Sequence, residues 1–428
     1  MHASTVITLV SALFLYSTHN YAVESSSKSE FPLIVDSESL TQAITPPSTL
    51  DKPSVPVNSP SDQISQLHQL RMKYEHISNT ISWPKLSRGP LLSFGDNHPQ
   101  IPKLREMLVQ LGDLDQANCD DHTQLFDIEL HEALLRFQER HGGKADGILG
   151  PATRRQLNVS PRQRADQILL NIHRLQAFQP EQERYIQVNI PDYRLHLFEN
   201  GEKLLSMKTI VGKRKRKTPV FDTEIDRVVV NPSWHVPKSI AYKDILPVFA
   251  EDPDYLKKIN LKVVTGWGEQ KKFMTDEEID LEKMYKGKVY QRLWEPPSDK
   301  NTLGKVKFLT SSHYSVYLHD TSAKRLFDES KRAFSSGCIR LEQPRKLADA
   351  LLKMGKDWEQ EEVSPLFSDQ ETVHIKLDKP VKLYVTYWTS WVDKNGQVHF
   401  RDDLYRRDRY ELSQLKQQSS QELFTSSN

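Results

Sequence analysis

The spacing of apolar residues changes near Arg184 in this chain of 428 residues. Before that point they recur every three or four residues, as Ile101, Leu104 and Leu108 do, which is the period of a helix buried on one face. After it they alternate with polar residues, as in RYIQVNIPDYRLHLFENG, which is typical of half-buried strands. Because 428 residues also exceed what one core usually organises, the sequence predicts a multidomain protein with an all-α part before a mainly β part.

The all-α part is centred on residues 95–158, where we predict a small unit of three helices. Helical spacing continues through LHEALLRFQERH, a turn follows at Asp146-Gly147, and Pro151 stands where a third helix would begin. On either side we expect a helical scaffold segment at 63–90 and a connecting helix at 160–180.

The mainly β part is expected to span residues 183–410. Asn-Gly pairs indicate hairpin turns at Glu199-Asn200-Gly201 and Lys394-Asn395-Gly396, because this pair adopts the backbone that tight turns need. Residues 240–300 interrupt the strands with charged, partly helical sequence, and an insertion of this length is more often a lid than inert filler. We therefore predict an inserted α-rich capping subdomain there, and a polar tail at 411–428.

The first 22 residues indicate export. The run VITLVSALFLY, from Val6 to Tyr16, has the length of the apolar region of a signal peptide, and Ala22 is a small residue suited to cleavage. The run is short for a membrane span, so an uncleaved membrane anchor is the alternative. Residues 23–62 are rich in Ser and Pro without periodicity, which predicts a disordered linker.

The charge balance argues against polyanionic partners. Lys and Arg number 58 and Asp and Glu number 57, for a net charge of +1, so we expect no nucleic-acid partner. The basic run Lys213–Lys217 follows Gly212 and precedes Thr218-Pro219, and we interpret it as a solvated loop between two strands.

Cys338, in the stretch AFSSGCIRL, is one of two cysteines. Four roles are open to it: a small core residue, half of a disulfide with Cys119, a metal ligand or a nucleophile. Cys119 lies in another predicted domain, more than two hundred residues earlier, which makes the disulfide an unusual long-range pair. The chain has no C-x-x-C or H-E-x-x-H spacing, so we predict no metal site and no cofactor.

The surroundings of Cys338 favour the nucleophile. It precedes the predicted helix PRKLADALLKM, Arg340 is two residues away, and His319 lies nineteen residues upstream on a predicted strand. A helix N-terminus and a guanidinium both lower the pKa of a thiol, and an imidazole can take its proton. Gly337 would leave backbone amides open to stabilise an oxyanion.

Residues 95–158 also resemble the bacterial peptidoglycan-binding domain. The resemblance is carried by Phe137-Gln138 on a helix and by DGILGPAT, residues 146–153, which forms the turn into the last helix of that family. It implies that this unit binds peptidoglycan. The alternative is a scaffold that has kept the fold and lost the binding, since a fold does not fix a function.

The region from residue 183 to 410 resembles the L,D-transpeptidase catalytic domain. That family carries a histidine on a strand and, after a gap, an S/T-H-G-C motif, matched here by His319 and by SSGCIR, residues 335–340. Ser336 stands where many members have a second histidine. The stretches YLHDT, VVVNPSWHVPKSI and FRDDLYRRD resemble the large Gram-negative subgroup with an inserted capping subdomain.

The resemblance implies a ping-pong acyl transfer on peptidoglycan stem tetrapeptides in the periplasm of a Gram-negative bacterium. It assigns Cys338 as nucleophile and His319 as base, and the amides of Gly337 and Cys338 with Tyr317 as oxyanion donors. Arg340 would orient the motif or bind a carboxylate, with a structural salt bridge as the alternative. Trp234 and the cap would hold the donor stem, with core packing as the alternative for Trp234.

Several outcomes stay open at this point. An amine acceptor on a second stem gives a 3→3 cross-link, water gives trimming by an L,D-carboxypeptidase, and a free D-amino acid gives exchange. A regulatory protein acting on the cap is a further open partner. The resemblance also implies acylation by carbapenems. A non-catalytic peptidoglycan-binding scaffold is the rival from another class, whereas a papain-like peptidase has its cysteine before its histidine, the opposite of the order here.

Overall fold

The computed structural model describes residues 60–118, 123–286, 291–353, 367 and 371–426. The predicted export segment, nearly all of the predicted linker and Cys119 lie outside these ranges. Within them, no helix combines the length and the apolar character needed to cross a membrane.

Eleven helices are assigned in the described ranges, and the first five precede the sheet. They are α1 (Pro60–Thr80), α2 (Ile101–Leu111), α3 (Ile128–Arg140), α4 (Pro151–Leu157), α5 (Pro161–Gln176), α6 (Lys238–Ile240), α7 (Leu246–Glu251), α8 (Tyr255–Lys258), α9 (Leu281–Tyr285), α10 (Pro344–Leu352) and α11 (Asp408–Ser426).

Fifteen strands are assigned in the same ranges. They are β1 (Arg184–Asn189), β2 (Arg194–Glu199), β3 (Glu202–Gly212), β4 (Phe221–Val230), β5 (Trp234–His235), β6 (Lys262–Thr265), β7 (Lys272–Phe273), β8 (Arg292–Glu295), β9 (Val306–Thr310), β10 (Leu318–His319), β11 (Ala333–Ser335), β12 (Ile339–Leu341), β13 (Val373–Thr386), β14 (Ser390–Val392) and β15 (Val398–Phe400). The predicted fold class, a helical N-terminal part and then a mainly β domain, is confirmed.

Local sequence explains where the helices of the first part begin. The Asp127 carboxylate accepts a hydrogen bond from the Leu130 amide at the start of α3, and Ser160 forms a capping box with Gln163 at the start of α5. Helices α2, α3 and α4 enclose one apolar core, as the three-helix prediction requires. Helix α1 ends at Thr80, however, so residues 81–90 of the predicted scaffold segment are irregular.

The glutamine of the Phe137-Gln138 pair holds the turn that leads into α4. The Gln138 amide nitrogen donates to Asp146 and to the Ile148 carbonyl, each at 3.0 Å, and its oxygen accepts from the Gly147 amide at 2.9 Å. Gln138 is buried. These residues of the motif therefore stabilise the turn from inside the domain.

The main sheet closes on itself. Its strand order is β11-β3-β12-β10-β9-β4-β13-β1-β2, and β2 also pairs with β3. The β2–β3 turn is a tight hairpin in which Asn200 and Gly201 both have positive φ, at 51° and 82°. Alternate residues of these strands form a single apolar core, which α10 covers on one side. The strands β10 and β12 are parallel neighbours in this sheet.

The insertion has a core of its own, which includes Val236, Leu246, Leu256, Val263 and Leu293. Short helices α6 to α9 lie in it, as predicted, together with a four-stranded antiparallel sheet in the order β5-β8-β6-β7 that the sequence did not predict. Strands of two to four residues are too short to show a clear alternation, which explains why they were missed.

The C-terminal segment joins the sheet to the helices. The hairpin β14–β15 packs into an apolar cluster with α1 and α5. The segment predicted as a polar tail is largely helix α11, and Arg174 on α5 binds its first turn through Asp408 at 2.8 Å and Glu411 at 2.6 Å. Helix α11 is held by ion pairs and not by an apolar face. The spacing of apolar residues therefore does not predict it.

Candidate active site

Strand pairing brings the predicted catalytic residues to one face of the closed sheet. His319 is in register with Arg340, and the amide of Ile339 bonds the Tyr317 carbonyl at 3.1 Å. Because side chains alternate along a strand, Tyr317 and His319 share a face with Cys338 and Arg340. Cys338, directly before β12, is thus offset by two residues from His319 on β10, with Cα atoms roughly 8 Å apart by strand geometry.

Cys338 is a half-buried, free thiol. Its Sγ lies 3.9 Å from the Ser315 carbonyl, to which the thiol donates. Burial raises the pKa of the Cys338 thiol, while hydrogen bonds from Tyr317 and the charges of Lys307 and Arg340 act in the opposite direction. The neutral thiol is therefore the resting form, in a setting where several groups favour the thiolate once it forms.

His319 is buried and prepared to accept a proton. Its Nδ1 lies 2.5 Å from the Asp320 carbonyl. A carbonyl only accepts hydrogen bonds, so Nδ1 carries the hydrogen and Nε2 keeps its lone pair. Burial, with the charge of Arg340, lowers the pKa of His319 to about 3. The imidazole is neutral at neutral pH, as a general base must be.

Asp320, whose carbonyl contacts His319, is itself held in place by hydrogen bonds and an ion pair. The Asp320 carboxylate accepts from the amides of Thr321 at 2.7 Å and Lys305 at 2.9 Å, and it pairs with Lys324. Gly304 has a φ of +61°, and a Cβ there would lie 2.4 Å from the Asp320 carboxyl carbon. Only glycine allows this close approach.

The loop before the cysteine corrects one predicted role. The Gly337 amide already donates to the Ser335 hydroxyl at 3.1 Å, and this hydroxyl donates to the Cys338 carbonyl at 2.5 Å. The Gly337 carbonyl accepts from Thr218 at 2.8 Å. Gly337 therefore shapes the loop, with a φ of +124°, and its amide is not free for an oxyanion. Among the described residues, no partner is found for the Cys338 amide, which leaves it as the available backbone donor.

Ser336 is exposed, and its hydrogen bonding does not suit a role in proton transfer. Its hydroxyl accepts a hydrogen bond of 2.9 Å from Arg216, which lies in the basic loop between β3 and β4. The same guanidinium forms a two-bond ion pair with Asp244 of the insertion. The loop predicted from Lys213–Lys217 is therefore present, and one of its residues connects the nucleophile loop with the cap.

Two cations face the thiol without a carboxylate partner in the described part of the chain. Arg340 forms no ion pair there, so its alternative role as a structural salt bridge is not observed. Lys307, on β9 and in register with His319, places its Nζ 3.9 Å from the centre of the Tyr317 ring. Both charges act on the Cys338 thiol. Sequence reasoning missed Lys307, because the sequence alone does not show that β9 pairs with β10.

Tyr317 connects the thiol with the insertion. Burial raises the pKa of Tyr317, and both Cys338 and Trp234 act on its hydroxyl. Trp234 is half-buried, and it also packs against the core of the insertion. Core packing, the alternative role for Trp234, is thus seen, and its position at the cleft to hold the donor stem stays a prediction.

Comparison with protein families identifies two parts of the chain. Residues 183–375 match the sequence model of YkuD, the L,D-transpeptidase catalytic domain. Residues 97–157 match the model described as "Putative peptidoglycan binding domain".

Individual relatives cover parts of the same region. A Haemophilus influenzae protein named "Putative L,D-transpeptidase" is 34% identical over 244 residues, which are 56% of this chain and 48% of that protein. The Mycobacterium tuberculosis N-acetylmuramoyl-L-alanine amidase CwlM is 36% identical over 80 residues, or 17% of this chain and 20% of that protein. The chain thus spans about half of the first relative and a fifth of the second.

Among solved structures, the L,D-transpeptidase of Stackebrandtia nassauensis is similar over 71% of this chain and 96% of that one, at 13% identity. Its TM-score of 0.26 is too low to support a conclusion. The family matches and the Haemophilus relative carry the identification: this chain contains an L,D-transpeptidase catalytic domain of the YkuD family, preceded by a peptidoglycan-binding domain.

Proposed function

We propose that this protein is a cysteine L,D-transpeptidase that cross-links peptidoglycan stem tetrapeptides through an acyl-enzyme on Cys338. The observation that carries the proposal is the placement of a half-buried free thiol and a buried histidine on one face of the sheet, two residues out of register. A scaffold would not need a His319 whose Nε2 has no hydrogen-bond partner among the described residues, nor two cations whose charges act on the thiol.

In the first half-reaction, the Cys338 sulfur attacks the carbonyl between the third residue of the stem and its terminal D-Ala. The thiol proton passes to Nε2 of His319 as the carbon–sulfur bond forms. The Cys338 amide and the Tyr317 hydroxyl donate to the oxyanion, and Lys307 and Arg340 add positive charge around it. Collapse breaks the carbon–nitrogen bond, His319 protonates the leaving amine, and D-Ala departs from a thioester.

In the second half-reaction, the amine of another stem attacks the thioester. His319 takes the proton of that amine, and the new amide forms as the carbon–sulfur bond breaks. The proton then returns to sulfur, which restores the thiol. Water in place of the amine gives a trimmed tripeptide, and a free D-amino acid gives an exchanged tetrapeptide.

The insertion serves as a cap over the donor stem in this account. One ion pair joins it to the site: Asp244 pairs with Arg216, which also donates to Ser336. Arg340, free of carboxylate partners in the described residues, binds a carboxylate of the donor stem. A protein with this activity works where peptidoglycan is, in the periplasm of a Gram-negative cell, and the N-terminal apolar run is its signal peptide or inner-membrane anchor.

Incubation of the mature protein with disaccharide tetrapeptide, followed by chromatography and mass spectrometry, tests the proposal. Dimers with release of D-Ala support transpeptidation. Tripeptide monomers support trimming, and exchanged tetrapeptides in the presence of a second D-amino acid support exchange. Absence of all three products, with the substrate intact, supports the scaffold instead. Cys338→Ala is the matched control and should yield none of the products.

A further inference from the structure

A cavity of about 620 Å³ lies where the helical part meets the closed sheet, and Cys338 does not line it. We call it the junction cavity. Its walls come from the end of α3 and the loop after it, the β2–β3 hairpin with the residues before it, the segment before β11, and the β14–β15 hairpin with the residues after it. The residues that matter below are Glu139, Arg194, His196, Lys203, Arg332 and Trp391.

The walls of the junction cavity are held rigidly by aromatic stacking and hydrogen bonds. The His141 ring stacks on Phe137 at 3.8 Å and on Phe400 at 5.3 Å. Arg401 donates to the Arg140 carbonyl at 3.0 Å and pairs with Asp192 at 2.8 Å. Since these contacts join the two parts of the chain, the cavity is formed before any ligand arrives.

The carboxylates in the cavity wall are already paired. Asp192 is bound to Arg401, and Asp393 is bound to the His399 ring at 3.1 Å. Only Glu139 at the rim is exposed and forms no ion pair in the described part of the chain. The cavity wall therefore has little unpaired negative charge that could neutralise its other cationic side chains.

Three cations in the wall have no carboxylate partner among the described residues. The Lys203 side chain is exposed and makes no hydrogen bond to a described residue, and the Arg194 side chain donates there only to the Ser206 hydroxyl, at 3.2 Å. Arg332 is only 8% exposed, and its guanidinium contacts backbone carbonyls, including that of Tyr193 at 3.1 Å. Burial of its ammonium group lowers the pKa of Lys203, while Asp192 and Arg194 act on it in opposite directions. The cationic side chains of the wall are therefore available to bind an anionic ligand.

We propose that the junction cavity binds the acidic stem peptide of a peptidoglycan strand, with a carboxylate of that peptide held by Arg194 and Lys203. Guanidinium and ammonium groups form strong, charge-assisted hydrogen bonds with carboxylates. An uncharged glycan alone would leave both cations unmatched, and the half-buried Trp391 gives the peptide an apolar surface. The inference rests on the proposed function for the identity of the ligand.

The junction cavity lies a short distance from the Cys338 thiol. Arg332 precedes Cys338 by six residues, so the two Cα atoms are at most about 22 Å apart. A strand held in the junction cavity is therefore kept close to the thiol while its stems are exchanged. The cavity would act as an anchoring site, distinct from the donor position over Cys338.

Calorimetric titration of disaccharide tetrapeptide into the full chain carrying Cys338→Ala measures this binding without turnover. The double variant Arg194→Gln/Lys203→Gln should weaken one class of site by about tenfold or more, since charge-assisted hydrogen bonds are lost. Hydrogen exchange should show protection of residues 192–206 in the parent and its loss in the variant. A stem whose carboxylates are amidated should bind the parent as weakly as the acidic stem binds the variant.

The matched control is Lys376→Gln/Lys379→Gln, which removes two exposed lysines of β13 elsewhere on the sheet and should bind as the parent does. Equal binding by both double variants, or equal binding of acidic and amidated stems, overturns the proposal. If the first variant fails to fold by circular dichroism, Lys203→Gln replaces it, with Lys376→Gln as its control. Acylation of Cys338 is measured separately on the unmodified protein, so failure of the proposed function is a different result.

Discussion

The Arg216 guanidinium donates a hydrogen bond of 2.9 Å to the hydroxyl of Ser336, two residues before the nucleophile. Arg216 also pairs with Asp244, so the cap and the nucleophile loop are connected through one side chain. The serine at a position where many relatives have a histidine thus has a physical role here: it accepts from the residue that bridges to the cap.

Asp244→Asn should weaken this connection while keeping the shape of the side chain. The ion pair is partly exposed, so we expect a loss of about 1 kcal/mol or less, seen as up to about a fivefold rise in KM for the donor stem. High salt should shrink the difference between variant and parent. Asp252→Asn is the control, because Asp252 pairs with Lys258 in the same insertion. Equal KM values for Asp244→Asn and Asp252→Asn would contradict a role for the connection.

The rate of Cys338 acylation should be nearly independent of pH between about pH 5 and pH 8. The pKa of His319 is lowered to about 3, so it stays neutral in this range, and the raised pKa of Cys338 keeps the thiol protonated. The reactive pair therefore does not change its protonation state there, and only below about pH 4 should protonation of His319 slow the reaction.

Stopped-flow measurement of carbapenem ring opening gives this profile. His319→Gln should lower the rate by about 10²–10⁴-fold across the range, as expected for loss of a general base. An inflection near pH 6.5 in the parent would indicate an imidazolium–thiolate pair and would contradict the neutral pair described here.

Lys307→Gln should raise the pKa of the Cys338 thiol further, because the lysine charge favours the thiolate. Alkylation of Cys338 by iodoacetamide, followed on its peptide by mass spectrometry, should shift to higher pH in this variant. Lys376→Gln, an exposed lysine remote from the thiol, should leave the profile in place. Coincident profiles for Lys307→Gln and the parent would remove Lys307 from the site.

Gly304→Ala should destabilise the segment behind His319. A Cβ at position 304 meets the Asp320 carboxyl group, so the variant incurs overpacking of about 1–3 kcal/mol beyond the backbone cost of a positive φ. Gly201→Ala isolates that backbone cost, because Gly201 has a φ of +82° and open space around it. Urea unfolding compares the two free energies of unfolding. Equal losses in both variants would show that the contact with Asp320 is unimportant.

The sequence indicated the fold well where patterns are long and periodic. Strands β1 and β2 lie in a stretch where apolar and polar residues alternate, and the Asn200-Gly201 turn has a local chemical cause. The predicted pairing of Cys338 with His319 relied on a motif, and the strand register then placed both on one face.

Other features depended on contacts between distant parts of the chain. A glycine leaves its amide open, which predicts an oxyanion role for Gly337, but the Ser335 hydroxyl two residues away accepts from this amide. Lys307 reaches the site through the pairing of β9 with β10, and Arg216 through its contact with the cap. Neither contact has a local signal in the sequence.

Intact-protein mass spectrometry after brief exposure to disaccharide tetrapeptide tests the central claim most directly. We predict a covalent adduct with the mass of the disaccharide tripeptide acyl group on the parent protein, mapped to Cys338, and its absence from Cys338→Ala. A parent protein that converts the substrate without ever carrying the adduct, or an adduct that persists in Cys338→Ala, would contradict the account.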